Sequence, residues 1–505
     1  MMATIAGADA PATAKQFPQT PHFVGLNQPV GQELSFTGLS VEGTLPPEVL
    51  GSFYRAVPDP HFAPKFDDDN VLSGDGMISR VSFNADNTVD YAIRYVRTAR
   101  WIAEEEKGRA RFGRYRNPFT DDADVAGVDR TVANTTPVWH AGRLLMTKED
   151  GRPYAIDPVT LETRGSYDFG GKLKSQTVTA HVRIDAQTGE MFLYGYEADG
   201  PASTKVAYLI VDAQGNLTSE QWFDAPYCAM MHDFAITENY ALFPIYPTTC
   251  SLERLKAGGD HWVHEMETDS WLGVMPRYGD VSEMRWFKGP KGVSAYHFLN
   301  AFEDANGIIH FDQCLSNTNA FPFIREASGI HMAPWEVQGA LTRWSVDPKG
   351  DASDVTQSVV GPPGDFPLIP ARFQGCPNPY GWMLTMDPQM KGPPLAGGPV
   401  GAMFNMIVRL DFTGGPGQVV DALPLPVGWS LNEPVHVPAH DPDHLGYIVT
   451  IVDHQTGDNQ FEHAAWVLDA GALHKGPVAK VAIPARLRPQ VHGWWVPQGA
   501  LEAAE

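Results

Sequence analysis

Short apolar runs separated by turn-forming residues are the main pattern along the chain. Ala207–Val211 is followed by the turn-forming stretch Asp212–Asn216, and Gly446–Val452 is a second apolar run of strand length. The segment Leu34–Arg55 predicts a strand, a Pro-Pro turn and a second strand. Runs rich in Val, Ile and aromatic residues that are bounded by Asp, Gly and Pro are typical of strands joined by tight turns. The pattern therefore predicts an all-β fold.

Helical periodicity is sparse, and Trp101–Phe112 is the best helical candidate. The length of 505 residues would allow about three domains, but no Ser/Gly linker, charge block or low-complexity stretch divides the chain after its first segment. The Ala-rich N-terminus lacks the charged and apolar regions of a secretion signal. We predict a flexible N-terminal tail over residues 1–20 and a single domain over residues 21–505.

Charge and hydropathy exclude several classes of partner. The formal net charge is -23, and such a surface repels phosphate backbones and anionic lipids. No apolar run reaches the roughly 18 residues that a spanning helix needs. We therefore expect neither nucleic-acid binding nor integral membrane association.

The four cysteines are widely spaced and contain no Cys-x-x-Cys pair: Cys228, Cys250, Cys314 and Cys376. In a protein of this size the pattern is typical of free thiols in a reducing compartment, and a disulfide remains the alternative. We predict a cytoplasmic protein.

Four isolated histidines are the strongest candidates for chemistry: His181, His232, His297 and His492. Neutral imidazole is a borderline-soft donor that suits Fe, Zn and Cu, and a site built only of imidazoles leaves a divalent ion its full charge. The histidines are at least 51 residues apart, so no local motif is matched. Since the chain holds 17 histidines, a purely structural role for each remains open.

Several motifs resemble those of a known family. The opening pattern Gly-x-Leu-Pro-x-x-x-Leu-Gly-x-Phe-x-Arg over residues 43–55 and the stretch Ser73–Met77 resemble the start of the carotenoid cleavage oxygenases. Further segments resemble the bacterial phenylpropanoid branch of that family, which comprises lignostilbene dioxygenases and isoeugenol-cleaving oxygenases: Phe112–Asp122, Asp129–Thr135, Lys148–Asp150, Met231–Phe234 and Gly476–Arg488. The resemblance covers residues 34–496.

The resemblance implies a seven-bladed β-propeller with a loop and helix cap over an axial metal site. It further implies that His181, His232, His297 and His492 bind Fe(II). Three carboxylates would orient these ligands, and two of them fall on Glu149 and Glu433. The third position departs from the family, because the usual Glu-Phe-Pro is Asp365-Phe366-Pro367 here. We expect Asp365 to reach its histidine through a shifted backbone or a water, or else to leave that ligand less constrained.

The resemblance also assigns substrate contacts. Tyr115 and Lys148 match the residues that hold the 4-hydroxyl group of a phenolic ring, where loss of the phenolic proton would push electron density toward the alkene substituent. Thr135 matches a threonine beside an open coordination position, and a plain strand threonine is the alternative. Stilbene cleavers carry a phenylalanine where this sequence has Leu72, which favours substrates with one ring. The charged helical segment that starts at Trp101 is expected to lie near the entrance of the site.

Together these features predict an oxygenase that uses O2 to cleave the alkene C=C bond of isoeugenol or 4-vinylguaiacol, next to the aromatic ring. The products would be an aromatic aldehyde such as vanillin and a small carbonyl compound. A stilbene dioxygenase of the lignostilbene or resveratrol type, an apocarotenoid oxygenase and a non-enzymatic propeller scaffold are the alternatives. A homodimer is possible on this interpretation.

Overall fold

Strands form nearly all of the regular structure in the computed structural model, which describes residues 15–329, 332 and 336–503. The strands of the first half are, in sequence order, β1 (Leu34–Ser40), β2 (Glu42–Gly43), β3 (Gly51–Pro58), β4 (Gly76–Phe83), β5 (Thr88–Tyr95), β6 (Thr136–His140), β7 (Arg143–Thr147), β8 (Tyr154–Ile156), β9 (Thr163–Ser166), β10 (Arg183–Ile184), β11 (Met191–Tyr196), β12 (Lys205–Val211), β13 (Leu217–Asp224), β14 (Ala235–Ile236), β15 (Tyr240–Ile245), β16 (Thr248–Thr249) and β17 (Val263–His264).

The strands of the second half continue as β18 (Asp269–Pro276), β19 (Arg285–Lys291), β20 (Ser294–Glu303), β21 (Ile309–Ser316), β22 (Arg325–Glu326), β23 (Gly339–Val346), β24 (Thr356–Gly361), β25 (Asp365–Leu368), β26 (Tyr380–Thr385), β27 (Met406–Asp411), β28 (Gln418–Pro424), β29 (Trp429–Leu431), β30 (Val435–Val437), β31 (Tyr447–Gly457), β32 (Gln460–Asp469), β33 (Pro477–Ile483) and β34 (Gly493–Pro497). The all-β prediction is confirmed.

The described α-helices are α1 (Ala99–Lys107), α2 (Leu252–Lys256) and α3 (Gln498–Glu502). Helix α1 begins where the Thr98 side chain accepts a hydrogen bond from the Trp101 amide, and it ends at Gly108, whose φ of 69° is left-handed. The predicted helix is therefore present but ends five residues before Phe112. No helix in the described part of the chain has the length and apolarity needed to cross a bilayer.

Seven sheets of four to six strands follow one another along the described residues. We name them sheets A to G, and each is written here from its inner strand outward: A is β6-β7-β8-β9, B is β10-β11-β12-β13, C is β14-β15-β18-β19, D is β20-β21-β23-β24, E is β25-β26-β27-β28, F is β29-β31-β32-β33-β2 with β30 also paired to β31, and G is β34-β3-β4-β5-β1. A small extra sheet, β16-β17-β22, lies outside this series.

Apolar clusters join each sheet to the next and return to the first. One buried cluster lies between each of six neighbouring pairs of sheets: A–B, B–C, C–D, D–E, E–F and F–G. A seventh cluster, which contains Tyr54 and Ile78 of sheet G and Leu144 and Met146 of sheet A, closes the ring. Seven sheets in a closed ring match the number of blades expected.

The two faces of a strand serve two different neighbours, because successive side chains point to opposite sides. In β11, Leu193 belongs to the cluster between sheets A and B, whereas Phe192 and Tyr194 belong to the cluster between sheets B and C. All six residues of β11 are buried. This double burial explains why such strands appear in the sequence as continuous apolar runs and not as alternating ones.

Sheet G brings the two ends of the described chain together. Its inner strand β34 comes from the C-terminal region and pairs antiparallel with β3 from the N-terminal region, with Gly51 opposite Pro497. Of the predicted tail, residues 1–14 lie outside the described residues. Lys15 already contacts the body, since its Nζ donates to the Pro64 carbonyl over 2.7 Å and pairs with Asp67 over 2.7 Å.

We expect Trp382→Ala to weaken the contact between sheets E and F. The Trp382 side chain is fully buried, its indole N–H donates to the Ala470 carbonyl over 2.9 Å, and its ring stacks on His436 with centroids 5.2 Å apart. Truncation of a buried tryptophan costs about 3–5 kcal/mol of unfolding free energy. Equilibrium denaturation measures the loss, with Val419→Ala as the control because Val419 of the same sheet is half exposed. Equal midpoints for the two variants would contradict this packing.

Candidate metal centre and substrate cavity

The four candidate histidines lie on or just before the inner strands of four different sheets. His297 is within β20 of sheet D, and His492 directly precedes β34 of sheet G. His181 and His232 lie two and three residues before β10 and β14, the inner strands of sheets B and C. The closed ring directs these inner edges toward one another, so residues far apart in sequence meet.

The four Nε2 atoms form a tight group. Nε2 of His181 is 3.1 Å from that of His232 and 3.0 Å from that of His492. The His297 atom lies 3.2 Å from that of His232 and 3.4 Å from that of His492. Nitrogens that surround a common ion at about 2.1 Å are about 3.0–3.4 Å apart in octahedral or tetrahedral geometry. The donor set therefore fits a divalent transition-metal ion.

Burial keeps two of the rings, those of His181 and His492, in the neutral form that a metal ligand needs. Burial first, and then the charge of a neighbouring ring, lowers the pKa of His492 to about 3. The pKa of His181 is also lowered well below its ordinary value, first by burial and then by the three other rings. At neutral pH both rings are unprotonated, so a cation does not have to displace protons from them.

Three carboxylates orient three of the rings from behind. Nδ1 of His232 is 2.5 Å from Oε1 of Glu149, and Nδ1 of His492 is 2.9 Å from Oε1 of Glu433. A carboxylate on Nδ1 fixes the tautomer, so that Nε2 presents its lone pair to the ion. His181 has no carboxylate partner among the described residues.

Asp365 contacts its histidine directly despite its short side chain. Its Oδ1 lies 2.8 Å from Nδ1 of His297, so the contact is direct and no water is needed. The pairing of β25 with β26 shifts register between Asp365 and Leu368, and Phe366 has a left-handed φ of 50°. A bulky residue rarely adopts that conformation. Of the alternatives predicted for Asp365, the direct contact makes a bridging water unnecessary, and the backbone shift relative to the family stays a prediction.

An ion pair braces the turn that carries His232. Asp233 accepts two hydrogen bonds from the Arg183 guanidinium, at 2.6 and 2.7 Å, and a third from the Phe298 amide at 3.2 Å. Arg183 belongs to β10 and Phe298 to β20, so one carboxylate ties together three neighbouring inner strands. Both partners are mostly buried, which makes the geometry rigid.

A cavity of about 270 Å³ opens beside the histidines. Its lining includes His232, His297 and His492 together with all the residues assigned to the substrate side: Leu72, Tyr115, Thr135 and Lys148. The carboxylates Glu149, Asp365 and Glu433 also border it. The structure thus brings every predicted site residue except His181 to the cavity, and His181 completes the nitrogen group behind it.

Lys148 is a buried cation with an incomplete set of partners. Its Nζ donates to the Asn134 side-chain oxygen over 3.1 Å and to the Leu72 carbonyl over 3.3 Å, and it lies 5.2 Å from the centroid of the Tyr115 ring. An ammonium group has three N–H donors, so one remains for a ligand. Burial lowers the pKa of Lys148, and the nearby Asp150 and Glu149 offset part of that effect.

Tyr115 stays protonated at neutral pH, since burial raises the pKa of its phenol. Thr135 is held in place by a hydrogen bond from its hydroxyl to the Asn134 side-chain oxygen over 3.0 Å. Asn134 in turn donates to the Leu72 and Gly74 carbonyls over 3.0 and 2.7 Å. One asparagine therefore positions Lys148, Thr135 and the Leu72 segment together.

Most of the apolar residues that line the cavity were not identified from the sequence. Tyr296, Phe321, Phe366, Met403 and Phe404 line the cavity, and the Tyr296 and Phe321 rings pack with centroids 4.3 Å apart. Tyr296 directly precedes His297 and Phe366 directly follows Asp365, so their position beside site residues was the available clue. None of the residues of α1 lines the cavity, and the expected position of this charged segment near the entrance stays a prediction.

Comparison with known proteins identifies the family. The profile described as RPE65, retinal pigment epithelial membrane protein, matches residues 27–497. Lignostilbene-alpha,beta-dioxygenase isozyme III of Sphingomonas paucimobilis is 39% identical over 494 residues, which cover 97% of this chain and 99% of the relative. The chain belongs to the RPE65/carotenoid cleavage oxygenase family. The predicted resemblance is confirmed, and the protein is an oxygenase of the type that cleaves C=C bonds.

Other relatives of this oxygenase carry different names. Isoeugenol monooxygenase of Pseudomonas nitroreducens is 39% identical over 489 residues, which cover 95% of this chain and 98% of the relative. The crystal structure of Pseudomonas brassicacearum lignostilbene dioxygenase superposes with a TM-score of 0.90 at 36% identity and covers 96% of this chain and 100% of that chain. Synechocystis apocarotenoid oxygenase, at 22% identity and a TM-score of 0.77, shares the fold over 96% of this chain and 100% of that chain.

We expect Asp365→Ala to weaken metal binding by about 10–100-fold, because an imidazole without its carboxylate partner is less basic and less well aimed. Competition against a chelator of known affinity measures the change under anaerobic conditions. Asp351→Ala is the control, since Asp351 is exposed. Unchanged affinity in the Asp365 variant would show that the contact with His297 is dispensable.

Proposed function

We propose that the protein is a non-haem Fe(II)-dependent oxygenase that uses O2 to cleave the alkene C=C bond attached to the ring of 4-hydroxyphenyl alkenes. Isoeugenol and 4-vinylguaiacol are the preferred substrates on this proposal, and an aromatic aldehyde such as vanillin and a small carbonyl compound are the products. The observation that carries the proposal is the presence of Tyr115 and Lys148 in the same cavity as three of the four clustered histidines.

The choice of iron follows from the family resemblance, and the donor set is compatible with it. Four imidazoles without a thiolate or a directly bound carboxylate suit Fe, Zn or Cu, and a redox-active ion is required for chemistry with O2. Fe(II) bound by these imidazoles would activate dioxygen. Three of the imidazole rings are oriented toward the metal position by contacts with Glu149, Asp365 and Glu433.

The contribution of the protein's own side chains to the reaction is to bind the 4-hydroxyl group of the substrate and to accept or stabilise the loss of its proton. The free N–H or lone pair of Lys148 is available to a 4-hydroxyl group, and the neutral Tyr115 hydroxyl is a second donor. Because the lowered pKa of Lys148 brings it nearer that of a phenol, the lysine either accepts the phenolic proton or stabilises the phenolate as an ammonium ion. Electron density then moves through the ring to the para alkene, which becomes reactive toward O2.

Cavity size supports a substrate with a single ring. A volume of about 270 Å³ lies just below the range of about 300–1,000 Å³ that is typical of sites for drug-sized ligands. Leu72 occupies the position where stilbene cleavers are expected to have a phenylalanine, so one stacking contact is absent.

Cleavage of stilbenes is the second candidate. A neighbouring hollow of about 770 Å³ shares Ala320, Phe321, Val337 and Val400 with the cavity and extends it outward. A second aromatic ring would fit there. The lignostilbene and resveratrol names of several relatives point in the same direction. The charge of α1 gives no argument against an apocarotenoid substrate, because α1 does not line the cavity; the higher identity to the phenylpropanoid enzymes is what disfavours it.

Three further predictions stand beside this proposal. Because β34 completes the sheet that contains β1, β3, β4 and β5, we propose that residues 21–505 fold as a single domain. The cytoplasmic location and the homodimer remain predictions.

We expect Lys148→Met to lower kcat/KM for a free phenol by about 10²–10⁴-fold, the range for loss of a positioned acid or base. The rate with the corresponding methyl ether should stay near its low wild-type level, because that ether has no proton to transfer. Steady-state kinetics with both substrates checks this, with the exposed Lys172→Met as the control. If the variant loses the same factor with the ether, the lysine acts on something other than the phenol.

The substrate class is tested by product analysis under air with iron-loaded protein. We expect isoeugenol and 4-vinylguaiacol to give vanillin faster than a hydroxystilbene gives its aldehydes, and the methyl ethers to react much more slowly. Faster turnover of the stilbene would favour the second candidate. Methyl ethers that react as fast as free phenols would overturn the roles of Tyr115 and Lys148.

A further inference from the structure

A second buried polar cluster lies near the cavity and takes no part in the chemistry above. It consists of Glu197, Cys228, Cys250 and His261, with Arg116 beside them; we name it the thiol cluster. The two Sγ atoms and a carboxylate oxygen of Glu197 lie within 4.8 Å of one another. Arg116 follows Tyr115 directly in the sequence, so this cluster lies next to the segment that carries the proposed phenol contact.

The two cysteines face each other across a short antiparallel ladder. Ala229 and Thr249 form a bridge, and the Cys250 amide donates to the Cys228 carbonyl over 3.2 Å. Directly opposed residues with such a bond have Cα atoms about 5.5 Å apart, which falls within the range of about 4.4–6.8 Å seen in disulfides. The backbone is therefore already placed for a disulfide, although both thiols are free.

Hydrogen-bond geometry fixes the charge of His261. Its Nδ1 lies 2.9 Å from the Arg116 carbonyl, which only accepts, and its Nε2 lies 2.9 Å from Oε2 of Glu197. Glu197 is ionised, since it also accepts from the Arg116 guanidinium over 2.6 Å and from the Ala202 amide over 2.5 Å. Both ring nitrogens must then carry hydrogen, so His261 is an imidazolium ion.

Charge balance then favours a thiolate on Cys250. Arg116 and His261 are two buried cations, whereas Glu197 is a single buried anion. The neighbouring Cys228 thiol and the His261 imidazolium together lower the pKa of Cys250 despite its burial. The neighbouring Cys250, together with burial, raises the pKa of Cys228, so the negative charge resides on Cys250.

We propose that Cys228 and Cys250 form an oxidisable dithiol site in which Cys250 is the attacking thiolate and Cys228 the resolving thiol. The difference in exposure suits these roles, because Cys250 is partly exposed and Cys228 is buried. Two cations beside the pair disfavour a bound metal ion, although the two thiols and the carboxylate would otherwise suit zinc.

The oxidant on this proposal is a low-molecular-weight disulfide. The Cys250 thiolate attacks one sulfur of the oxidant, forms a mixed disulfide and releases one small thiolate. The Cys228 sulfur, after losing its proton, attacks Cys250 Sγ, forms the Cys228–Cys250 bond and releases the second small thiolate. Two electrons pass from the cysteine pair to the oxidant, the single proton lost by Cys228 converts one small thiolate to a thiol, and the other small thiolate takes up a proton from the solvent.

Alkylation rates and peptide mapping test the proposal on full-length, iron-loaded protein. Cys376 is the internal control, because it is also partly exposed but burial raises its pKa. At pH 7 we expect iodoacetamide to alkylate Cys250 at least about tenfold faster than Cys376. Treatment with bis(2-hydroxyethyl) disulfide should link the Cys228 and Cys250 peptides and leave Cys314 and Cys376 reduced.

Variants separate the two roles. Cys228→Ser should accumulate a mixed disulfide on Cys250, Cys250→Ser should leave Cys228 unreacted, and Cys376→Ser should behave as wild type. His261→Gln should raise the apparent pKa of Cys250 alkylation; if that variant does not fold, the wild-type pH profile decides, since Cys250 must titrate below Cys376.

Three outcomes would overturn the proposal. One is alkylation of Cys250 no faster than that of Cys376. Another is the absence of a Cys228–Cys250 link after oxidation. The third is stoichiometric zinc in purified wild-type protein that disappears in Cys228→Ser, which would assign the thiol cluster to a metal.

Discussion

Four imidazole nitrogens at 3.0–3.4 Å from their neighbours do not attract one another, so something else must hold them together. Neutral rings oppose lone pairs to lone pairs, and protonated rings would oppose charge to charge. The closed ring of sheets supplies the constraint, because each histidine is on or next to an inner strand whose other contacts are fixed by apolar clusters on both faces. Packing energy distributed over seven interfaces thus maintains an arrangement that is locally unfavourable until a cation occupies its centre.

The same constraint links the metal site to the substrate cavity. Lys148 and Glu149 are adjacent in one turn after β7; Glu149 aims His232, and Lys148 faces the cavity beside Tyr115. A shift of that turn would change metal geometry and substrate contact together. Asn134 adds a second connection, because it holds Lys148, Thr135 and the Leu72 backbone at once. Hydrogen bonds therefore fix these three segments of the cavity relative to one another.

Buried charge is used in two different ways on the two sides of Tyr115. Beside the cavity, Lys148 has few partners, and burial lowers its pKa, which leaves it able to exchange a proton. In the thiol cluster, short hydrogen bonds join Glu197 to Arg116 and to His261. Two cations and one anion leave one positive charge unbalanced beside the cysteine pair. A cation with a free donor, such as Lys148, can bind a ligand or exchange a proton. A fully hydrogen-bonded ion network with excess positive charge, such as the thiol cluster, stabilises one further anion.

The sequence by itself determined the strand content, the family and the identity of the candidate ligands, since these depend on local apolar runs and on motifs such as Lys148–Asp150. It did not determine whether the shorter Asp365 side chain reaches His297 directly, because that contact depends on the pairing of β25 within sheet E. It offered no reason to pair Cys228 with Cys250, which are brought face to face by a ladder of only a few residues. The tertiary structure decided these points because each depends on distances between segments remote in the sequence, which local pattern does not encode.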